Sequence, residues 1–417
     1  MIDSAAFQVA ARIRERLDIS MVEYVLQDWP LQSVSAIAAA TREAEAAILK
    51  GYGGGGSGEA GVIAVMEYVE RYAQFRCDCP PPEAVVPWET IRDYALSPLS
   101  LGLYDSTQYA VPDFPCRPFD PTQPLEWIGV TDLLDGTLRC VPCEFIYPHA
   151  TLGRSQLVCE TSSGTAAHVD HSSAVLAALC ELVEHDAAML FWYRQPPTLS
   201  LSVEEIGVPS VANDLEHLRR LGYVVIVANL DYDLGIPCFL LIAMQGGRFA
   251  HGLGCHPSTH EALLHAMTEL CCGLAWLSLE TVIQSVWRSF AQVHLSGEHY
   301  ELYNGGSRYQ ILRQVLARTL VSGGIDQLQI GCPDSAFAPA EALAFAIEAL
   351  AKRGFRGYAC EITPGLLRDS GIHVVRVLVP GLVPFHFGFD RLRLGCERLW
   401  NTVAPGKLRQ LLPHFLH

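Results

Sequence analysis

The sequence predicts a mixed α/β fold of the α+β type, and three observations carry that prediction. Apolar residues recur at helical spacing over 60–73, 172–193 and 259–277. Between them lie short apolar runs closed off by glycine and proline, as at 138–141 and 224–244. The third observation is bulk: 417 residues, half of them hydrophobic, suffice for one large domain or two ordinary ones.

Taken in order, residues 1–50 read as a mostly helical N-terminal segment, available for docking a partner, ahead of a main domain over 51–417. The glycine run at 51–56 reads as too flexible for regular structure and leads straight into the helix at 60–73. A proline-rich stretch follows at 80–124, expected to be irregular but packed, because it carries Trp88, Tyr104, Tyr109, Phe114 and Phe119. Short strands are expected at 138–141 and 145–147, then a small-residue loop at 162–167 and the long helix at 172–193. A strand pair spans 224–244, a glycine turn falls at Gly252 and Gly254, and a further helix covers 259–277. Helical regions near 311–320 and 340–352 and a strand at 374–379 precede a polar tail. Pro339 suits a first helical turn, where its missing N–H does no harm.

The formal charge of −16, from 45 acidic against 29 basic residues, repels phosphate backbones and anionic membranes, so neither nucleic acid nor membrane is an expected partner. The first twenty residues mix apolar and charged side chains without an apolar core and cleavage site. They do not read as a secretory signal, and a cytoplasmic protein is expected. The apolar stretch 223–244 is broken by Asp231, Asp233, Gly235 and Pro237, against a membrane span. Of the 14 cysteines, Cys77/Cys79, Cys140/Cys143 and Cys271/Cys272 lie close in sequence, but only Cys140/Cys143 has metal-type spacing, so free thiols are expected.

The chemistry-bearing pattern is carboxylate pairs three residues apart: Glu67/Glu70 on one helix and Glu181/Glu184 on another, each behind a small-residue loop. Residues at i and i+3 share a helical face. On an exposed helix such pairs are a solvated acidic surface. Here Val62, Val65, Val69, Leu179 and Val183 flank them, so the charge needs a counter-charge, from Arg, Lys or metal. Hard Mg²⁺ takes oxygen ligands and bridges carboxylates to nucleotide phosphates. Two facing pairs can hold the metals of one Mg-nucleotide. The loops before the helices offer N–H groups to anions, although no Walker A motif occurs. A partial third echo joins Gly252–Gly254 to Glu261 and Glu269.

These ordered blocks resemble the YcaO family of ATP-dependent peptide-backbone modifying enzymes over about residues 50–400. The resemblance rests on Leu103–Tyr109, Ser162–Ala167 followed by Glu181–Asp186, Gly252–Pro257 with Glu261 and Glu269, Glu361–Thr363, Gly371–Arg376, Val379–Leu382 and Arg391–Gly395. It implies a YcaO-like fold of helices on mixed sheets, with Mg²⁺-ATP held by metal ligands Glu67, Glu70, Glu181 and Glu184. Nucleotide contacts implied are Arg71, Ser162 and His185. The azole-forming branch implies cyclodehydration of Cys, Ser or Thr in a ribosomally made precursor peptide to thiazoline or oxazoline. An E1-like or leader-peptide-binding partner would deliver the substrate, and a homodimer is compatible. The tail, ending at His417, resembles a divergent form of one that reaches the active site, so the His417 terminal carboxylate is a candidate catalytic group; a frayed end is the alternative. Several positions depart from the family pattern: His185 and His265 replace arginines, His168 a glycine and Cys272 a glutamine, and no lysine stands in the glycine run. Alternatives are thioamide or amidine formation, or a catalytically weakened scaffold subunit of a modifying complex.

Overall fold

A computed structural model describes residues 4–25, 34–40, 50–55, 58–75, 80–148, 156–279, 289–323, 338–401 and 411–416. Three sheets organise them. After helix α1 (Ser4–Arg16), strands β1 (Ile19–Val25), β2 (Val34–Ala40) and β3 (Lys50–Gly55) form an antiparallel sheet in that order. A six-stranded antiparallel sheet runs β4 (Ala84–Pro87), β5 (Pro124–Asp132), β13 (Tyr358–Glu361), β14 (His373–Leu378), β7 (Thr165–His168), with β6 (Leu138–Pro142) also on β5. The third has the order β11 (Arg248–Cys255), β10 (Cys238–Gln245), β9 (Val224–Asn229), β8 (Thr198–Leu201), β12 (Leu320–Ser322), and β8–β12 is a parallel pair.

Three helices pack on these sheets and carry the site: α2 (Glu59–Phe75) on β3 and β2, α3 (His171–Met189) between β14 and β11, and α5 (Thr259–Leu279) on β11. Helix α3 starts where the Asp170 carboxylate accepts the Ser173 N–H at 2.8 Å. It buries Ala174, Val175, Leu176, Ala178, Leu179, Val183 and Ala187, apolar on most faces as befits a helix enclosed by other elements. Each buried valine or leucine among them contributes about 1.5–3 kcal/mol. Around it α7 (Tyr309–Thr319) and α8 (Pro339–Lys352) complete one core. A second core joins α1 and α2 to the six-stranded sheet, and a third lies under α4 (Pro209–Arg220) and α5. Helix α6 (Ser296–Tyr303) and the tail close the first core at one end.

Several expectations are corrected. Residues 1–50 are helical only over Ser4–Arg16; β1 and β2 follow, and 26–33 and 41–49 lie outside the described residues. The alanines of 34–40 have helical propensity, but pairing with β1 and β3 outweighs it. Val9, Ile13 and Ile19 share a core with Val62 and Val65 of α2. The glycine runs at 51–55 and 252–254 are strands, not loop and turn. The strand expected at 145–147 is replaced by a 3₁₀ turn over Cys143–Phe145, entered from Pro142 at the end of β6. The long helix stops at Met189 and continues as a π turn, Leu190–Arg194, ended by Gln195 in the left-handed region at φ 52°. The proline-rich segment is packed as expected: Trp88 meets Phe119 edge-on at 6.2 Å, and Tyr104 meets Phe114 at 4.9 Å.

Candidate functional site

The glycines explain how the carboxylates are placed. A Cβ on Gly51 would lie 1.9 Å from the Ala64 carbonyl oxygen and one on Gly53 would lie 2.0 Å from that of Ala60, so β3 rests directly on the backbone of α2. The same contact recurs in the third sheet. A Cβ on Gly252 would lie 2.1 Å from the Ala266 oxygen and one on Gly254 would lie 2.0 Å from that of Ala262. In each case the residue between the two glycines donates its N–H to a helix glutamate. Tyr52 donates to Glu67, and Leu253 donates to Glu269 at 2.9 Å. The echo noted in sequence is therefore a repeated strand-on-helix unit, in which Glu269 corresponds to Glu67 and Cys272 takes the place of Glu70.

Two further glutamates accept backbone N–H groups from the opposite side. Glu70 accepts from Ala167 of β7 at 2.8 Å, and Glu181 accepts from Gly164 at 3.0 Å. Glu184 receives no hydrogen bond among the described residues. Burial raises the carboxyl of Glu181 to about 7, opposed by the Gly164 N–H and Arg376 and reinforced by Glu67 and Glu269. Burial likewise brings Glu269 to about 7, with the Leu253 N–H opposing and Glu67 adding. Glu70 and Glu184 are pushed well above the ordinary range by burial, then by the neighbouring charges of Glu67 and Glu269 respectively. Burial also raises Glu67, against Arg71 and the Tyr52 N–H. The structure thus brings both predicted pairs within electrostatic reach of one another and adds a fifth carboxylate. None is sealed off: the side chains of Glu67 and Glu181 are 28% and 34% exposed, so protein surrounds them while water reaches them.

This donor set fits Mg²⁺. Five carboxylates repel one another, and the nearest cation, Arg71, is already engaged by Glu67 at 2.5 Å and by the Lys50 carbonyl. In Glu70, Glu181 and Glu269 a backbone N–H orients one oxygen and leaves the other for a ligand, whereas both oxygens of Glu67 are engaged, one by the Tyr52 N–H and one by Arg71. Among the described residues no three side chains converge on a single metal position.

The other candidates are placed as follows. The Ser162 carbonyl accepts the Thr165 N–H at 2.9 Å, which turns the strap 161–164 into β7. His185 lies 2.5 Å from the Ser163 hydroxyl, 3.9 Å from Glu181 and flat against Phe385 at 4.1 Å. Burial lowers its pKa to about 3, so it is a neutral imidazole and brings no arginine-like charge. Asp186, next in sequence, binds Arg398 at 2.8 Å and the Val383 N–H at 2.8 Å and is structural. His417 lies outside the described residues. The segment before it is not frayed: Phe415 and Leu416 are buried, and the Leu412 and Pro413 carbonyls accept from Trp192 and Tyr303 at 2.9 and 2.6 Å. His414 packs 4.9 Å from Phe385, the ring that covers His185.

Sequence reasoning left Glu160, Arg376 and Glu269 out of the site. Glu160 pairs with Arg376 at 2.9 Å and Arg393 at 2.5 Å, all three side chains at most 8% exposed. Arg376 also donates to the carbonyls of Thr161 and Ser163, fixing the strap. Only the mutual position of distant segments reveals this triad. Glu269 had a signal in the partial echo of the glycine pattern. The described cysteines are free thiols, as expected.

Comparison with known proteins agrees with this geometry. The YcaO family model, described as a YcaO cyclodehydratase that binds ATP and Mg²⁺, matches residues 53–383. A curated protein from the tfuA 3′ region of Rhizobium leguminosarum bv. trifolii, described as uncharacterized, is 31% identical over 161 residues, 36% of this chain and 38% of that one. A solved heterocyclase in complex with substrate and cofactor has a TM-score of 0.72 at 21% identity, covering 95% of this chain and 54% of that one. A YcaO from Methanopyrus kandleri bound with AMPPCP and Mg²⁺ has a TM-score of 0.58 at 19% identity, covering 91% of both chains. This chain therefore spans about half the length of that heterocyclase and 38% of the rhizobial protein. At these identities the two structures establish a shared fold. Because the family match runs through all three helices that carry the clustered glutamates, the chain belongs to the YcaO family, which binds ATP and Mg²⁺.

Proposed function

We propose that this protein activates backbone amides in a ribosomally made precursor peptide, cyclising Cys, Ser or Thr to thiazoline or oxazoline with loss of water. The single observation that carries the reading is the cluster of five carboxylates from α2, α3 and α5, whose carboxyls burial and mutual repulsion raise and whose ionised form a multivalent cation would stabilise. Glu67, Glu70, Glu181, Glu184 and Glu269 would hold Mg²⁺, and Arg71 and the Ser162–Gly164 strap would serve the nucleotide phosphates. Bound Mg²⁺-ATP supplies a phosphoryl group that makes the amide oxygen a good leaving group and neutralises its charge. The protein's own residues orient the reactants. Backbone N–H groups of Tyr52, Ala167, Gly164 and Leu253 fix the carboxylates, and the Glu160–Arg376 pair holds the strap. His185 acts as an uncharged hydrogen-bonding wall rather than a phosphate clamp. The tail packs its His414 against Phe385, the ring that covers His185, and the His417 terminal carboxylate is kept as the candidate catalytic group. An E1-like or leader-peptide-binding partner presents the precursor. We place the protein in the cytoplasm, where ATP is available and thiols stay reduced; no helix of the described residues is long and apolar enough to cross a membrane.

The test combines purified protein, partner and precursor with ATP and Mg²⁺, following phosphate release and peptide mass. One water lost per ring, with one phosphate released, both abolished by Glu67→Gln and Glu184→Gln, is the expected result. Product formation that ignores both substitutions, or needs no ATP, rejects the catalytic reading in favour of a scaffold.

A further inference from the structure

Forty-three residues separate Cys116 from Cys159, yet their sulfurs lie 3.5 Å apart. The chain is laid down for this contact. Cys116 bridges to Gln156, and the Arg117 N–H donates to the Gln156 carbonyl at 2.8 Å, so the two segments run side by side. Tyr104, Tyr109 and Phe114 pack edge-on against one another, and the Tyr104 hydroxyl accepts the Cys159 N–H at 3.3 Å. The two thiols differ. Cys116 is buried, whereas Cys159 is partly open to solvent. Its hydrogen bond from Cys116 lowers the Cys159 thiol to about 6, with Arg391 and Arg393 contributing against burial. Cys159 also heads the strap of the candidate site. Its carbonyl accepts from Arg393 at 3.3 Å, and the next residue is Glu160 of the buried triad.

We propose that Cys116 and Cys159 form a redox-active dithiol, a second site of chemistry in this chain, which takes a peroxide as its oxidant and closes to a disulfide that staples the strap 159–164 to the loop at Cys116. Cys159 thiolate attacks one peroxide oxygen, breaking the O–O bond to give a sulfenic acid and, after protonation, water. The Cys116 thiol then attacks the sulfenic sulfur, forming the S–S bond and expelling the hydroxyl as a second water. Overall two thiols and one hydrogen peroxide give one disulfide and two waters, the two electrons passing from sulfur to peroxide. The sulfurs must approach from 3.5 Å to about 2.05 Å, a motion within reach of side-chain rotation and small loop shifts. Attack by the more exposed, more acidic thiol and resolution by the buried one is the order that such chemistry favours.

The experiment treats the full, reduced protein with hydrogen peroxide and maps peptides without reduction. The expected product joins the Cys116 and Cys159 peptides, lighter by two hydrogens and separable by dithiothreitol, with two fewer titratable thiols. In Cys116→Ser the cross-link is lost and dimedone traps a sulfenic acid on Cys159; in Cys159→Ser, Cys116 stays reduced. Oxidation of Cys159 in the natural protein without the cross-link, or cross-links elsewhere while this pair stays reduced, overturns the proposal. Neither outcome depends on ATP turnover, so the result is independent of the proposed function.

Discussion

Glu181→Gln should make the metal-free protein more stable at alkaline pH while weakening Mg²⁺-nucleotide binding. The Glu181 carboxyl is raised from 4.5 to about 7, which at about 1.36 kcal/mol per pH unit is ~3.4 kcal/mol. A third of the side chain faces water, and screening there reduces this to ~1–2 kcal/mol. The sign follows from proton uptake. Between pH 4.5 and about 7 the folded state binds more protons than the unfolded, so stability contributed by this group falls as pH rises and the full penalty stands above about 7. Glutamine cannot ionise but can still accept the Gly164 N–H. At pH 8 without Mg²⁺ the variant should gain ~1–2 kcal/mol. For 417 residues, an unfolding entropy of ~0.9 kcal/mol/K turns that into roughly 1–2 °C in Tm. At pH 4 the gain should vanish. Adding Mg²⁺ with AMPPCP should raise the natural protein's Tm by ligand linkage and the variant's by less. Thermal melts at both pH values, with and without ligand, read all of this. A variant that melts lower than the natural protein at pH 8 without Mg²⁺, or gains equally at pH 4, would refute carboxylate crowding as the cause.

Further outcomes follow from the same geometry. Because burial raises Glu181 and Glu269 to about 7 and holds Glu70 and Glu184 well above the ordinary range, Mg²⁺-AMPPCP affinity should rise with pH by about tenfold per unit for each proton displaced, through 7 and beyond it; calorimetry across pH 5.5–8.5 measures it, and a flat profile contradicts the assignment. Glu160→Ala leaves Arg376 and Arg393 buried without a counter-charge and should cost ~3–5 kcal/mol, visible in denaturant melts. Gly53→Ala drives a methyl 2.0 Å from the Ala60 oxygen and should unseat β3 from α2, seen as loss of soluble protein or of several degrees in Tm, whereas Gly297→Ala, with open space around it, should be neutral or slightly stabilising.

The three site helices were legible because helical periodicity is local: every apolar residue that defines 60–73, 172–193 or 259–277 lies within a few turns of the next. The four glutamates were legible for the same reason, since a spacing of three places each pair on one face. Glycine strands were not. In sequence Gly51 to Gly55 is only a flexible run, because the reason for glycine is the carbonyl of Ala60 or Ala64 on another element. Residues 34–40, read as helix within 1–50, form β2 for the same reason, since pairing with β1 and β3 outweighs local preference.

The amino-acid sequence by itself determined the helices, the carboxylate pairs, the acidic balance and the family pattern, all properties of neighbouring residues or of their order. Tertiary structure alone decided that the two pairs face each other, that Glu269 joins them, that Glu160 ties Arg376 to Arg393, and that Cys116 meets Cys159. Each of these is a contact between segments far apart in the chain. Such contacts are set by how buried surfaces and backbone hydrogen bonds are satisfied together, which no local spacing encodes.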